Sequence, residues 1–174
     1  MSAALTLFST SEEATMRLGA ALARQLRPGM VVALYGDLGT GKTVLSRGIA
    51  RGLGITEPVT SPTFTVVQEY PRPDGTYLFH LDLYRIDDDA AALAFGIEEY
   101  LFAPDGIAVV EWPERIRGLL VSPGGERRVL AVHLAHGRDG RRRLELPQEL
   151  ADGARELLRT AADPGLRESA EAGP

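Results

Sequence analysis

The stretch MVVALYGDLGTGKT, residues Met30 to Thr43, decides how this chain of 174 residues folds. Met30 to Tyr35 is a continuous apolar run of strand length, the pattern of a strand buried on both faces of a sheet. Gly36 to Thr43 then matches G-x-x-x-x-G-K-[ST], and from Thr43 to about Gly52 the positions of Val44, Leu45 and Ile49 return to helical spacing. Strand, glycine loop and helix in that order form a phosphate-binding loop. Its glycines let the backbone curl so that successive amides point inward, and the helix that follows adds its positive dipole end. Lys42 reaches the β- and γ-phosphates as a compact charge, and the Thr43 hydroxyl ligates Mg²⁺. At this chain's own residue frequencies the motif arises by chance roughly once in a thousand such sequences.

Outward from the loop, Ala4 to Phe8 reads as a short strand. A helix follows, capped by Thr10 with Glu13 reaching back, with Ala14, Leu18, Ala21 and Leu22 on one face and a stop at Pro28-Gly29. On the other side, Phe64 to Tyr70 and Tyr77 to Tyr84 flank the turn Pro71 to Gly75 as an antiparallel hairpin. Asp87 to Leu101 is expected to be helical, its acidic start set against the helix dipole. Ile107 to Val110 is a further buried strand, and Arg127 to Leu134 pairs with Arg141 to Leu146 around Asp139-Gly140. The expected fold class is α/β: a P-loop NTPase-like three-layer sandwich with a mixed sheet including antiparallel hairpins. Residues 1–147 form the nucleotide domain. Residues 148–174 add a helix to about Leu158 and, from Ala161, a tail with too little apolar content to pack.

Composition excludes several functions. Nineteen basic against 24 acidic residues give a net charge of −5, which repels a polyanion or an anionic membrane. The chain has no cysteine, which removes thiolate chemistry and Cys-ligated metals. No apolar run approaches a bilayer span, and Met1 to Leu7 lack the basic start of a secretory signal, so a cytoplasmic location is expected. Eighteen of the 19 basic residues are arginine, and the lone lysine is Lys42 of the loop. A second lysine, needed for an Asn-Lys-x-Asp guanine site, is therefore missing.

Phosphoryl chemistry also needs carboxylates. Glu111 closes the strand Ile107 to Val110, the place of a metal-holding acid, and Asp82 falls opposite Leu81 and Leu83 by strand alternation. Ser61-Pro62-Thr63 sits where nucleotide switches place a hydroxyl that senses the γ-phosphate, and reads equally as a capped turn. His80 reads as a packed strand residue or as one that orients a water, and His133 as structural. Trp112 reads as a core or partner contact, and Arg138, Arg141, Arg142 and Arg143 as a solvated basic hairpin or a patch for RNA or a partner. On these residues alone three activities stay open: a Mg²⁺-dependent nucleotide phosphohydrolase, a small-molecule kinase with Arg115 and Arg117 in a lid, and an ATP-gated binding module.

GDLGTGKT, SPTF at Ser61 to Phe64, HLDLYR at His80 to Arg85 and VEWPER at Val110 to Arg115 occur in that order. Together they resemble the TsaE (YjeE) family, the small bacterial P-loop ATPases of the tRNA threonylcarbamoyladenosine (t6A37) pathway, over about Leu5 to Arg143. The resemblance implies ATP and Mg²⁺ as ligands. It implies that Leu38, Gly39, Thr40, Gly41, Lys42 and Thr43 bind the ATP phosphates, that Thr43 and Glu111 hold Mg²⁺, and that Asp82 is needed for hydrolysis. It also implies nucleotide contacts for Glu12 and Gly137, with Thr63 beside them in the switch-like loop. Its implied partners are the threonylcarbamoyl transferase subunit TsaD and the inactive paralogue TsaB.

Overall fold

A computed structural model of the chain describes residues 4–62, 64–121, 129–161 and 164–169. Its frame is one eight-stranded mixed sheet. In chain order the strands are β1 Leu5–Ser9, β2 Val31–Tyr35, β3 Val67–Pro71, β4 Tyr77–Asp82, β5 Gly106–Glu111, β6 Val129–His136, β7 Arg142–Leu146 and β8 Leu166–Glu168. In space they run β3-β4-β5-β2-β6-β7-β1-β8. The four middle strands β4, β5, β2 and β6 are mutually parallel, and antiparallel pairings complete both sides.

Alternation along the strands assigns the two faces. Val32 and Leu34 of β2 and Ile107 and Val109 of β5 pack with α1 (Glu12–Leu22), α2 (Lys42–Gly52) and α4 (Gln148–Ala161) through Leu18, Leu22, Leu45, Ile49 and Leu150. Val31, Ala108 and Val110 turn the other way, onto α3 (Asp89–Ala94) and the 3₁₀ turns that carry Ile97 and Ile116. These are the three expected layers. Because β2, β4 and β5 are parallel, their carboxyl ends share one edge, and the glycine loop, Asp82 and Glu111 all emerge there.

Four local expectations differ. The cap of α1 is Ser11, whose hydroxyl accepts from the Ala14 amide at 3.1 Å, one residue beyond the Thr10 expected from the capping-box pattern. That helix ends at Leu22 and tightens into a 3₁₀ turn at Ala23–Gln25 before it reaches Pro28-Gly29. The helix expected over Asp87 to Leu101 is only α3 followed by a 3₁₀ turn at Ile97–Glu99, because Gly96 takes φ +71° and breaks it. The stretch from Ala161 does not stay an unpacked tail, since β8 pairs with β1 and Leu166 is buried in the α1/α4 core. Local composition is blind to that pairing because its partner lies some 160 positions away.

Leu166→Ala should therefore lower the unfolding free energy by about 2–4 kcal/mol, the range of a buried leucine truncation, as measured by urea denaturation. A change below about 0.5 kcal/mol would show that β8 does not hold the sheet edge in solution.

Candidate functional site

The glycine loop leaves the first turn of α2 open. Its N-cap is Gly41 at φ +100°, which offers no side-chain acceptor, and the first helical bond is Leu45 N–H to Gly41 O at 3.0 Å. The amides of Lys42, Thr43 and Val44 thus have no partner within the helix, and they face a position suited to an anion. A side chain at Gly41 would meet the Arg142 guanidinium, its Cβ lying 2.8 Å from Nε. At Gly36 φ is +149°, and a Cβ there would fall 2.3 Å from the Leu134 carbonyl oxygen, so only glycine fits.

Lys42 is 4% exposed, and its ammonium donates to the carbonyls of Gly36 at 2.6 Å and Asp37 at 2.8 Å. It also lies 4.0 Å from the ring centre of Trp112. Burial pulls the lysine pKa below its ordinary value, and Glu111, Glu114, Asp82 and Asp37 pull the other way. Trp112 takes φ +60°, an uncommon backbone state for a bulky residue. The bend turns the chain directly after Glu111 and brings the indole over the lysine. Trp112 packs against the α3-side core, in line with the core role expected for it, and its ring also takes a place in the cleft over Lys42.

The register Asp82↔Glu111 between β4 and β5 sets two carboxylates side by side at the sheet edge, on the α2 face. Glu111 is 3% exposed and accepts three side-chain bonds: Thr43 Oγ1 to Oε2 at 3.0 Å, Ser46 Oγ to Oε1 at 3.3 Å and His80 Nε2 to Oε1 at 2.8 Å. Asp82 accepts from Ser61 Oγ at 2.6 Å on Oδ2 and from the Tyr84 amide at 3.0 Å on Oδ1. A hard divalent cation suits this donor set: one buried carboxylate and one hydroxyl 3.0 Å apart at the mouth of an anion-binding loop, the remaining ligands left to phosphate and water. Among the described residues no group of three or more His, Cys, Asp or Glu side chains is placed to hold a metal ion.

A cleft of about 380 Å³ joins these groups, and Glu12, Leu38, Gly39, Gly41, Lys42, Thr43, Asp82 and Glu111 line it. Thr40 lies beneath the loop, fully buried, its hydroxyl on the Asp37 carbonyl at 2.8 Å. Gly137 is not in this cleft. It borders a neighbouring hollow of about 650 Å³ that touches the loop through His136, whose Nε2 donates to the Leu38 carbonyl at 3.2 Å. Thr63 lies outside the described residues, as do Arg127 and Arg128 of the last hairpin. Arg142, read in the sequence as part of a solvated patch, lines the cleft 3.7 Å from Glu12.

Ser46, Trp112 and Arg142 are the site residues that sequence reading left unassigned. Ser46 was within reach, since it stands three positions after Thr43 and shares its helix face. The other two depend on a left-handed bend and on the curl of a hairpin, which leave no local pattern.

The chain is similar to known proteins in sequence and in fold. Residues 9–144 match the family model for TsaE, threonylcarbamoyl adenosine biosynthesis protein. A tRNA threonylcarbamoyladenosine biosynthesis protein TsaE of Nostoc sp. is 39% identical over 144 residues, covering 80% of this chain and 83% of that one. The protein of the same name from Bacillus subtilis is 43% identical over 109 residues, covering 62% and 66%. A crystal structure of Bacillus subtilis YdiB superposes with a TM-score of 0.64 at 30% identity, covering 90% of this chain and 95% of that one.

The depressed Lys42 pKa carries a stability prediction. A base whose folded pKa lies below its unfolded value costs stability at neutral pH, and the cost fades as pH rises through the window that ends at 10.5. Lys42→Met should therefore be at least as stable as the parent to urea at pH 7, with its advantage shrinking by pH 10. A variant clearly less stable at pH 7 would show that the ammonium supports the free fold.

Proposed function

Since the chain belongs to the TsaE family of threonylcarbamoyl adenosine biosynthesis proteins, we propose that it is a Mg²⁺-dependent ATPase that serves tRNA t6A37 modification. The observation that carries the reading is the 3.0 Å contact between Thr43 and the buried Glu111 at the open end of α2, beside the buried Lys42. A hydroxyl and a carboxylate have reason to meet there, at an anion-binding helix end, if a metal and a phosphate share the space.

In this reading the amides at the start of α2 and the Lys42 ammonium receive the β- and γ-phosphates of ATP. Lys42 exchanges its bonds to the Gly36 and Asp37 carbonyls for phosphate oxygens. Thr43 and Glu111 hold Mg²⁺, which when bound supplies charge compensation for the phosphate oxygens. Asp82 orients the attacking water through Oδ2, the atom on which the Ser61 hydroxyl now sits. The water oxygen bonds to the γ-phosphorus as the bond to the β–γ bridging oxygen breaks, giving ADP and phosphate. Glu12 and Arg142 border the nucleotide, and Gly137 meets it from the hollow beyond Leu38.

Asp82 serves as the base in this reading, and its Oδ2 is engaged by the loop that carries Ser61. Turnover of the isolated protein is therefore slow and rises when a partner orders the Ser61 to Thr65 loop or supplies an arginine. The partners we assign are TsaD and TsaB. Among the described residues no helix is long and apolar enough to cross a membrane, and the reading puts the protein in the cytoplasm.

Lys42→Ala should lose ATP binding, whereas Asp82→Asn should keep the ATP dissociation constant within about threefold and lose at least about 100-fold in turnover. Equilibrium binding and released phosphate, measured with and without TsaD and TsaB, test both halves. Asp82→Asn hydrolysing at the parent rate overturns the role of Asp82. Turnover indifferent to the two partners overturns the dependence on them, and transfer of labelled γ-phosphate to a small acceptor instead of water overturns the ATPase reading.

A further inference from the structure

His80 is fully buried on β4, two residues before Asp82 and on the same face of the sheet. A carboxylate oxygen only accepts, so the 2.8 Å contact with Glu111 Oε1 puts a hydrogen on Nε2 of the imidazole. Nδ1 is buried and has no hydrogen-bond partner among the described residues. A histidine kept for packing would satisfy both nitrogens or be replaced by an apolar residue of similar size, because an orphaned buried polar atom costs on the order of 1–3 kcal/mol. The fold tolerates that cost at a position whose one bond is spent on the carboxylate beside the loop.

The three bonds to Glu111 divide its two oxygens. Oε1 takes His80 and Ser46, both buried and both on regular elements that pack against β5. Among the described residues Oε2 takes only Thr43, the residue at the mouth of the cleft. One oxygen is anchored from behind and the other faces the place where phosphate and metal would meet.

We propose that His80 is a positioning residue: its Nε2–H fixes the rotamer of Glu111 so that Oε2 is presented to Mg²⁺ together with Thr43. The inference rests on the proposed function, since it assigns the metal to the same pair. A donor behind a metal-ligating carboxylate restricts its rotation and sets its direction, and loss of such a donor typically weakens metal binding about 10–100-fold.

The test measures metal linkage and not turnover. ADP affinity is titrated calorimetrically across a range of MgCl₂ concentrations and again in EDTA, for the parent, His80→Leu and His80→Gln. Gln can place an amide N–H near the position of Nε2, whereas Leu cannot donate. His80→Leu should raise the Mg²⁺ concentration at half-effect at least about 10-fold while ADP affinity in EDTA stays within about twofold, and His80→Gln should recover most of that loss. A His80→Leu half-point within twofold of the parent overturns the positioning role, as does a folded His80→Gln no better than His80→Leu. Should His80→Leu fail to fold, His80→Gln decides alone: a half-point within about fivefold of the parent supports the role, and a larger loss overturns it. A parent whose ADP affinity ignores Mg²⁺ overturns the metal assignment itself, an outcome distinct from the others.

Discussion

A negative charge buried behind the glycine loop is the constraint around which the site is arranged. Glu111 is 3% exposed, and an ionised carboxylate withdrawn from water is tolerable only with hydrogen-bond donors or cations around it. The protein supplies three donors from two neighbouring elements: Thr43 and Ser46 from α2, His80 from β4. Each requires a specific placement. Thr43 and Ser46 reach the carboxylate because α2 starts at Lys42, so that positions three apart fall on one face. His80 reaches it because β4 and β5 run parallel in a register that sets Asp82 beside Glu111 and leaves His80 one alternation behind. A slip of one residue in that pairing would turn both His80 and Asp82 to the α3 face.

The same logic governs the positive charge. The lysine ammonium is compact, with three donors, and two carbonyls and one indole face suffice to hold it in the free protein. A guanidinium is wide and planar, and its five donors would not fit between the curled backbone of Gly36-Asp37 and the Trp112 ring. That explains why the single lysine of a chain with 18 arginines stands at this position. Local strain supports the arrangement. Besides Trp112, Val66 also has positive φ, and its carbonyl accepts the Asp82 amide at 3.0 Å. A β-branched residue in that conformation is costly and persists only where the surroundings enforce it. Both strained residues thus flank the two carboxylates.

What could be read in the sequence was whatever repeats with a short period or sits within one motif. The glycine loop, the buried strand before it, the amphipathic helix after it and both hairpins have such signals, and the alternation that set Asp82 apart from Leu81 and Leu83 holds in β4. The faces of β4 and β5 were legible for the same reason, but their mutual register was not, since the strands are separated by a long crossover. His80 accordingly kept its two readings, a packed strand residue or one that orients a water or partner, until its Glu111 partner was visible. Arg142 belonged by composition to a basic hairpin, and only the curl of β7 against Gly41 moves it into the cleft. Gly96 was visible as a residue, and its φ of +71° directly after the C-cap Phe95 is the left-handed helix stop that glycine favours.

The balance of charge in the cleft bears on which ligand it can accept. Three carboxylates, Glu12, Asp82 and Glu111, border it against two cations, Lys42 and Arg142, and Glu12 already stands 3.7 Å from Arg142. A bare triphosphate entering alone would meet a net negative lining, and in a partly desolvated cleft such repulsion is weakly screened. The open helix end and one lysine offset part of this. A divalent cation arriving with the nucleotide offsets the rest, and it does so where repulsion is worst, between phosphate and Glu111. In the proposed ATPase, metal dependence would follow from burying an acid behind an anion-binding loop: the residue that would repel the substrate alone would help to bind it once the cation is present.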